Sequence, residues 1–365
     1  MRILLVTDVP PTSGIGRYVA SLSAEFKNVR DQEINVFSVS NQTMEHARGG
    51  FLNRVGNYPF FNFSYRALDL FVKGLSARRI PSNYDVYHLV NAALGYLAQR
   101  VEPCVVTVHD LIPFMRSIGM SSAELLWVRG MRSIVHADRV LCDSESSKKD
   151  LLRLTDVDPE KVRVVYLGVD HGLFKYRNKR QARARLNLPS NSMIVLNVGT
   201  EETRKNMPTL FEAFHELLKN VPGAVLVRIG RKSNQSKELI RRFGIENRVI
   251  YRYPSAEEVA NYYNAADILC FTSFYEGFGL PLIEAMASGL PVVAGNRSST
   301  PEVLGDAGIL VEPFDVEGFA HWMHRVSTDD ELRDIVSEKA FRRSLKFTWS
   351  NCAKKTLEVY KEVSE

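Results

Sequence analysis

The chain has 365 residues, of which 45% are hydrophobic and 24% charged, with a formal net charge of +5. That composition describes a globular protein long enough for two ordinary domains, each with its own core. Neither half is basic enough to argue for a nucleic-acid binder. Four cysteines, Cys104, Cys142, Cys270 and Cys352, are spaced too widely for a metal site or a secreted disulfide framework. Three of them sit in or beside apolar runs, which suits buried thiols in a reducing compartment, so a cytoplasmic location is expected. The opening apolar run is short and reads as a strand, not a signal peptide. No stretch approaches membrane-spanning length.

Ile3 to Thr7 forms the first strand. A loop with two prolines follows, and Gly14 to Gly16 turn into a helix beginning near Arg17. Gly14-Ile15-Gly16-Arg17-Tyr18-Val19 has the spacing of a dinucleotide fingerprint, but the context argues against one. Six residues separate Thr7 from Gly14, and the second strand, Ile34 to Ser40, ends without a carboxylate. A nicotinamide site needs tight glycines and that acidic residue. Residues 41–65 are polar and then aromatic, with poor periodicity. Residues 66–79 read as a helix with Leu68, Phe71, Val72 and Leu75 on one face and basic residues around it. Its ordinary reading is core packing with a solvated basic face; the other is an acceptor-binding or membrane-surface patch.

Tyr84 to Leu89 is a strand and Ala92 to Arg100 a helix. Val105 to Val108 is a buried-type strand that ends at His109-Asp110, where ligands gather in parallel sheets. His88 also closes a strand, but nothing further singles it out. Ser121 to Val135 is helical. Arg139 to Asp143 is a strand, and Ser144 caps the helix that follows. Val162 to Tyr166 is the last strand of a first domain covering 1–170. Across 171–192 apolar periodicity fades and charge rises, which marks a linker with a short helix near 180–186. A second domain, 193–349, opens with the strand Met193 to Val198 and continues in alternating strands and helices. An amphipathic helix over 350–365 closes the chain and is expected to pack back on the first domain. Regular alternation means parallel sheets covered on both faces.

Within the second domain the most informative stretch runs from Glu276 to Glu284. It follows an apolar strand, Asp267 to Ser273, and leads into a helical pattern that stops at Gly289. Gly277 and Gly279 let the backbone turn and leave amides uncovered at a helix N-terminus, which favours an anion. Glu276 precedes the turn and Glu284 lies one helical turn in. Either feature alone is ordinary: glutamates on helices are usually solvated, and a Gly-x-Gly turn is usually only a turn. Together they suit a ligand with hydroxyls at both ends and phosphates between, such as a nucleotide-sugar. Arg204 and Lys205 stand between a strand and a helix whose first turn holds Pro208. That is a good diphosphate site.

The run from Glu276 to Glu284 resembles the signature of retaining, nucleotide-sugar-dependent glycosyltransferases of the GT-B fold, family four. Val198 to Asn206 resembles that family's phosphate-binding stretch, and Gly14 to Tyr18 its first glycine loop. The chain looks closest to the mannosyltransferase-like branch. The resemblance covers nearly the whole chain and implies an α/β, GT-B architecture, two Rossmann-like domains facing a central cleft. It implies hexose transfer, of mannose or glucose type, to a glycan, lipid-linked or small-molecule acceptor. No cofactor or metal is implied beyond the nucleotide-sugar itself. Gly14, Gly16, Thr200, Arg204 and Lys205 would serve the donor, with amides from Gly277, Phe278, Gly279 and Leu280. Glu284 would accept from the ribose, Glu276 would hold sugar hydroxyls, and His109 would lie beside the transferred sugar. Val249 to Arg252 matches the edge where the family holds the base, and Ser298 to Glu302 its second phosphate-side loop. One departure is Thr200, where the family often has Arg. A peripheral contact at the inner membrane face through the first domain is a further expectation. The alternatives are a non-catalytic binding homologue and another GT-B enzyme, such as a nucleotide-sugar epimerase or a phosphorylase.

Overall fold

The structure is a computed structural model, and it describes residues 1–9, 13–29, 32–39, 44–46, 80–115 and 122–365. The aromatic run, the basic helix over 66–79, the two loop prolines and Ser121 therefore lie outside the described residues. The chain divides into two compact units, Met1–Tyr166 with Trp349–Glu365, and Leu167–Thr348.

The sheet of the first unit holds β1 (Arg2–Thr7), β2 (Glu33–Ser38), β3 (Met44–His46), β4 (Val86–Leu89), β5 (Cys104–Val108), β6 (Arg139–Cys142) and β7 (Val162–Val164). Their order is β3-β2-β1-β4-β5-β6-β7. All neighbours are parallel except β2 and β3, which pair antiparallel. That edge strand departs from the all-parallel expectation. Ile3, Leu4, Leu5 and Val6 are fully buried, as befits a central strand covered on both faces. The closing helix, Trp349–Ser364, belongs to this unit. Its Tyr360 packs against Phe26 with the rings tilted and hydrogen-bonds His88, and its Glu362 pairs with Arg139 and Arg163.

Two helices of this unit differ from the sequence reading. The first runs Gly14–Phe26, so both glycines lie in its opening turn, not before it. Ser13 is the reason: its side chain accepts from the Gly16 N–H and caps the helix three residues earlier than Arg17. The stretch after β4 is a 3-10 helix, Ala92–Leu97. It is pressed against the helix Ser122–Ser133, where a Cβ on Gly95 would collide with the Gly130 carbonyl and one on Gly130 with the carbonyls of Ala92 and Ala93.

The second unit holds β8 (Ile194–Val198), β9 (Val225–Ile229), β10 (Val249–Arg252), β11 (Ile268–Phe271), β12 (Val292–Gly295) and β13 (Ile309–Val311), in the order β10-β9-β8-β11-β12-β13. All pairs are parallel. Chain order reverses between β8 and β11, so their carboxyl ends form a topological switch point. In open parallel sheets that is where ligands bind.

Candidate active site

The loop after β8 and the loop after β11 meet at that switch point. Gly199 has φ +136°, a value open to glycine, and turns the chain out of β8. Thr203–Lys205 form one 3-10 turn, and Asn206 at φ +54° breaks it before the helix Met207–Asn220. Thr272, just past β11, donates to the carbonyls of Lys205 and Asn206. The Phe274 N–H donates to the Arg204 carbonyl. These bonds lay the two loops side by side.

The result is a buried charge cluster. Lys205 Nζ donates to Glu276 Oε1 at 2.6 Å, and Arg204 Nη1 donates to Glu276 Oε2 at 2.7 Å. Arg204 also donates to Glu202 Oε2 at 2.9 Å and to the Tyr275 carbonyl. Lys205 Nζ lies 5.1 Å from the centre of the Phe271 ring. The Lys205 and Glu276 side chains are only 9% and 8% exposed. Burial opposes the Glu276 carboxylate, but Lys205 and Arg204 outweigh it and hold its carboxyl below the usual range. Burial lowers Lys205, and the Glu276 charge works against that shift. Thr200, the departure from the family pattern, donates to Glu202 Oε1 at 2.9 Å.

The glycine turn follows directly. Gly279 sits at φ +98° as the N-cap of the helix Leu280–Ala287, a geometry that disfavours any side chain. Phe278 is buried against Phe347. Ser298 and Ser299 both donate to the Glu276 carbonyl, and Ser299 donates to the Phe278 carbonyl as well. Glu284 is buried, and Tyr263 OH donates to its Oε2 at 2.7 Å. Gly289 at φ +68° ends the helix, with the Leu290 N–H bonded to the Ala285 carbonyl.

Sequence reasoning missed a second polar group beside this loop. Arg228, fully buried in β9, donates to the carbonyls of Gly199 at 2.7 Å, Thr200 at 3.0 Å and Ile229. Its Nε lies 3.7 Å from Glu201 Oε1, and that carboxylate accepts from Tyr251 OH at 2.7 Å and from the Ser233 N–H at 2.8 Å. The group ties the loop after β8 to β9 and β10. A lone arginine inside the apolar strand Val225–Ile229 was the available signal.

In the first unit, His109 follows β5 and places Nδ1 at 2.7 Å from Asp143 Oδ2 and Nε2 at 3.0 Å from the Val90 carbonyl oxygen. Tyr18 meets its ring edge-on at 5.0 Å between centres. His88 is fully buried between Tyr360 OH at 2.5 Å and Thr107 Oγ1 at 2.7 Å. Burial, aided by the His109 charge, lowers it to about 3, so it is neutral. It joins β4 to the closing helix, which explains its place at a strand end. Gly16 is buried, and a Cβ on Gly14 would meet nothing.

Residues 12–173 match the family described as Glycosyltransferase Family 4, and residues 178–343 match Glycosyl transferases group 1. D-inositol 3-phosphate glycosyltransferase of Nocardioides sp. is 32% identical over 76% of this chain and 67% of its own length. The chain belongs to glycosyltransferase family 4. Another relative, O-antigen chain mannosyltransferase B of Escherichia coli, is 28% identical over 99% of this chain and 100% of its own. Among solved structures, sucrose-phosphate synthase of Thermosynechococcus elongatus superimposes with a TM-score of 0.80 at 23% identity, covering 99% of this chain and 98% of that one. Anabaena HepE in complex with UDP-glucose gives 0.75 at 18% identity, covering 99% and 100%. At those identities the likeness is one of fold, and the fold of this family 4 enzyme is GT-B.

Proposed function

We propose that this glycosyltransferase is a retaining, metal-independent hexosyltransferase. It takes a mannose- or glucose-type hexose from a nucleoside diphosphate sugar and passes it to a glycan, lipid-linked or small-molecule acceptor. The observation that carries the reading is the Lys205–Glu276–Arg204 cluster at the switch point of the second sheet, beside a glycine turn into a helix. A relative is named as a mannosyltransferase, and a neighbour of like fold binds UDP-glucose, which supports the donor class.

The chemistry follows from the donor set. Lys205 and Arg204 are balanced by Glu276 and Glu202 in the free protein. A diphosphate arriving here competes with Glu276 for the same N–H donors. As the phosphates take them, the Glu276 oxygens turn to sugar hydroxyls, so donor binding itself prepares the carboxylate for its second partner. Lys205, Arg204 and the amides from Gly277 to Leu280 then offset the charge that develops on the leaving diphosphate. Tyr263 fixes Glu284 for the ribose hydroxyls. Gly14, Gly16 and Thr200 are the other residues proposed for the donor, and His109 is the residue proposed for the transferred sugar. The four cysteines are buried free thiols, which supports a reducing, cytoplasmic setting. Among the described residues no helix is long and apolar enough to cross a membrane. The proposed membrane contact through 66–79 lies outside the described residues.

Incubation with labelled UDP-, GDP- and ADP-hexoses tests the reading. Transfer that survives chelator, with the anomeric configuration of the donor kept in the product by NMR, is expected. Inversion would remove the retaining assignment, and conversion of donor without acceptor would favour an epimerase.

A further inference from the structure

His88, buried, and His109, partly buried, differ in what surrounds their nitrogens. Both partners of His88 are hydroxyls, Tyr360 and Thr107, which can donate or accept, so a neutral ring is satisfied. Both partners of His109 are acceptors. The Val90 carbonyl can only accept, so Nε2 carries its hydrogen. At Nδ1, 2.7 Å from Asp143 Oδ2, a lone pair facing an ionised carboxylate would be repulsive, so a proton lies between them. The pair therefore holds one proton more than a neutral imidazole beside a free carboxylate.

The surroundings agree. Tyr18 comes from the first helix, His88 from β4, Asp110 from the next position in the chain, and Cys352 from the closing helix. Of these only Asp110 brings a second negative charge, and none brings a competing cation. Burial pulls the His109 pKa down, but the Asp143 charge and hydrogen bond outweigh it and the result is raised. Burial raises Asp143, with His109 opposing.

We infer that His109 works with both ring nitrogens protonated, held by Asp143 and the Val90 carbonyl, and that Asp143 is a positioning residue for glycosyl transfer. The second half rests on the role proposed for His109 above. The ring then has no lone pair with which to act as a base toward an acceptor hydroxyl. What it presents to a ligand oxygen is positive charge, and an N–H that must be exchanged away from Val90.

The test is NMR of the full chain labelled with 15N-histidine, with the His109 signals assigned by their loss in His109→Gln. At about pH 7, both ring nitrogens of wild-type His109 are expected in the protonated range, whereas His88 should show one bare nitrogen. Asp143→Asn should move the His109 titration down by about one pH unit or more, a tenfold change in proton affinity. It should also lower kcat more than it raises the donor KM, and shift the alkaline limb of the rate profile toward neutral pH. Asp143→Glu, which keeps the carboxylate, should restore part of each effect and serves if the asparagine variant does not fold. A bare nitrogen on wild-type His109 would overturn the protonation assignment. Wild-type kcat and pH profile in Asp143→Asn would overturn the positioning role. Wild-type turnover in His109→Gln would remove that role together with the His109 reading, while leaving the protonation assignment standing.

Discussion

Each unit pairs a buried carboxylate with a basic side chain past the carboxyl ends of its parallel strands, but the two pairs are built differently. In the second unit Glu276 serves two cations that are neighbours in sequence, Arg204 and Lys205, all fixed by loops that touch at the switch point. In the first, Asp143 serves one histidine from the end of the adjacent strand, and the histidine's other nitrogen is spent on a backbone carbonyl. The first arrangement holds donors that an arriving anion can claim. The second fixes the protonation and direction of a single ring. On the proposed reading, one is a binding cluster that rearranges with its ligand and the other is a strut.

Breaking the binding cluster should have the largest effect. Lys205→Ala leaves the buried Glu276 with half its compensation and removes a phosphate donor. It is expected to cost about 3 kcal/mol of folding stability in urea titration and to weaken nucleotide binding roughly a hundredfold by calorimetry. Unchanged affinity would place the diphosphate elsewhere. Glu276→Gln should reduce kcat by a factor of about 100 or more, while UDP or GDP still binds with near wild-type affinity. A double-mutant cycle with Lys205→Met sharpens the point, because the two losses should fall well short of additive.

Opposite pH responses separate the two pairs. Glu276 has a folded pKa below 4.5, so its contribution to stability is present above that value and lost as pH falls below it. His109 is raised above 6.5, so its contribution is complete at lower pH and lost as pH rises through the folded value. Lys205→Met should flatten the acid side of the stability profile, and His109→Gln should flatten the fall in stability as pH rises through the His109 value. The smallest effect is expected from Tyr263→Phe, which removes one hydrogen bond to Glu284. About 1 kcal/mol of donor affinity, read as a several-fold rise in donor KM with kcat little changed, is the expected loss.

The same contrast explains what could be read from sequence. Glu276, Lys205 and Glu284 could be singled out from sequence because strand, glycine turn and helix follow one another within a few residues, a local order that suits an anion. The alternating β-branched runs likewise dictated buried parallel strands. Partners that come from distant strands were not legible. Asp143 lies 34 residues from His109 and reads as the end of an ordinary strand. Tyr263 reads as one apolar position of an amphipathic helix. Arg228 alone left a trace, a charge inside a strand that is otherwise apolar. The antiparallel strand Met44–His46 is too short for any period to show. Gly14 and Gly16 were placed in a turn because glycine suggests one, and the cap at Ser13 overrode that local preference.

The central claim is that the switch point of the second sheet binds a nucleoside diphosphate sugar through Lys205 and Arg204. Thermal unfolding of wild type and Lys205→Ala against UDP, GDP, ADP and their hexose conjugates tests it most directly, since a ligand that binds only the folded state raises the midpoint. The account predicts a clear rise with one base family in the wild type, larger for the sugar conjugate, and little or none in Lys205→Ala. No rise with any of these nucleotides in the folded wild type, or an equal rise in the variant, would contradict it.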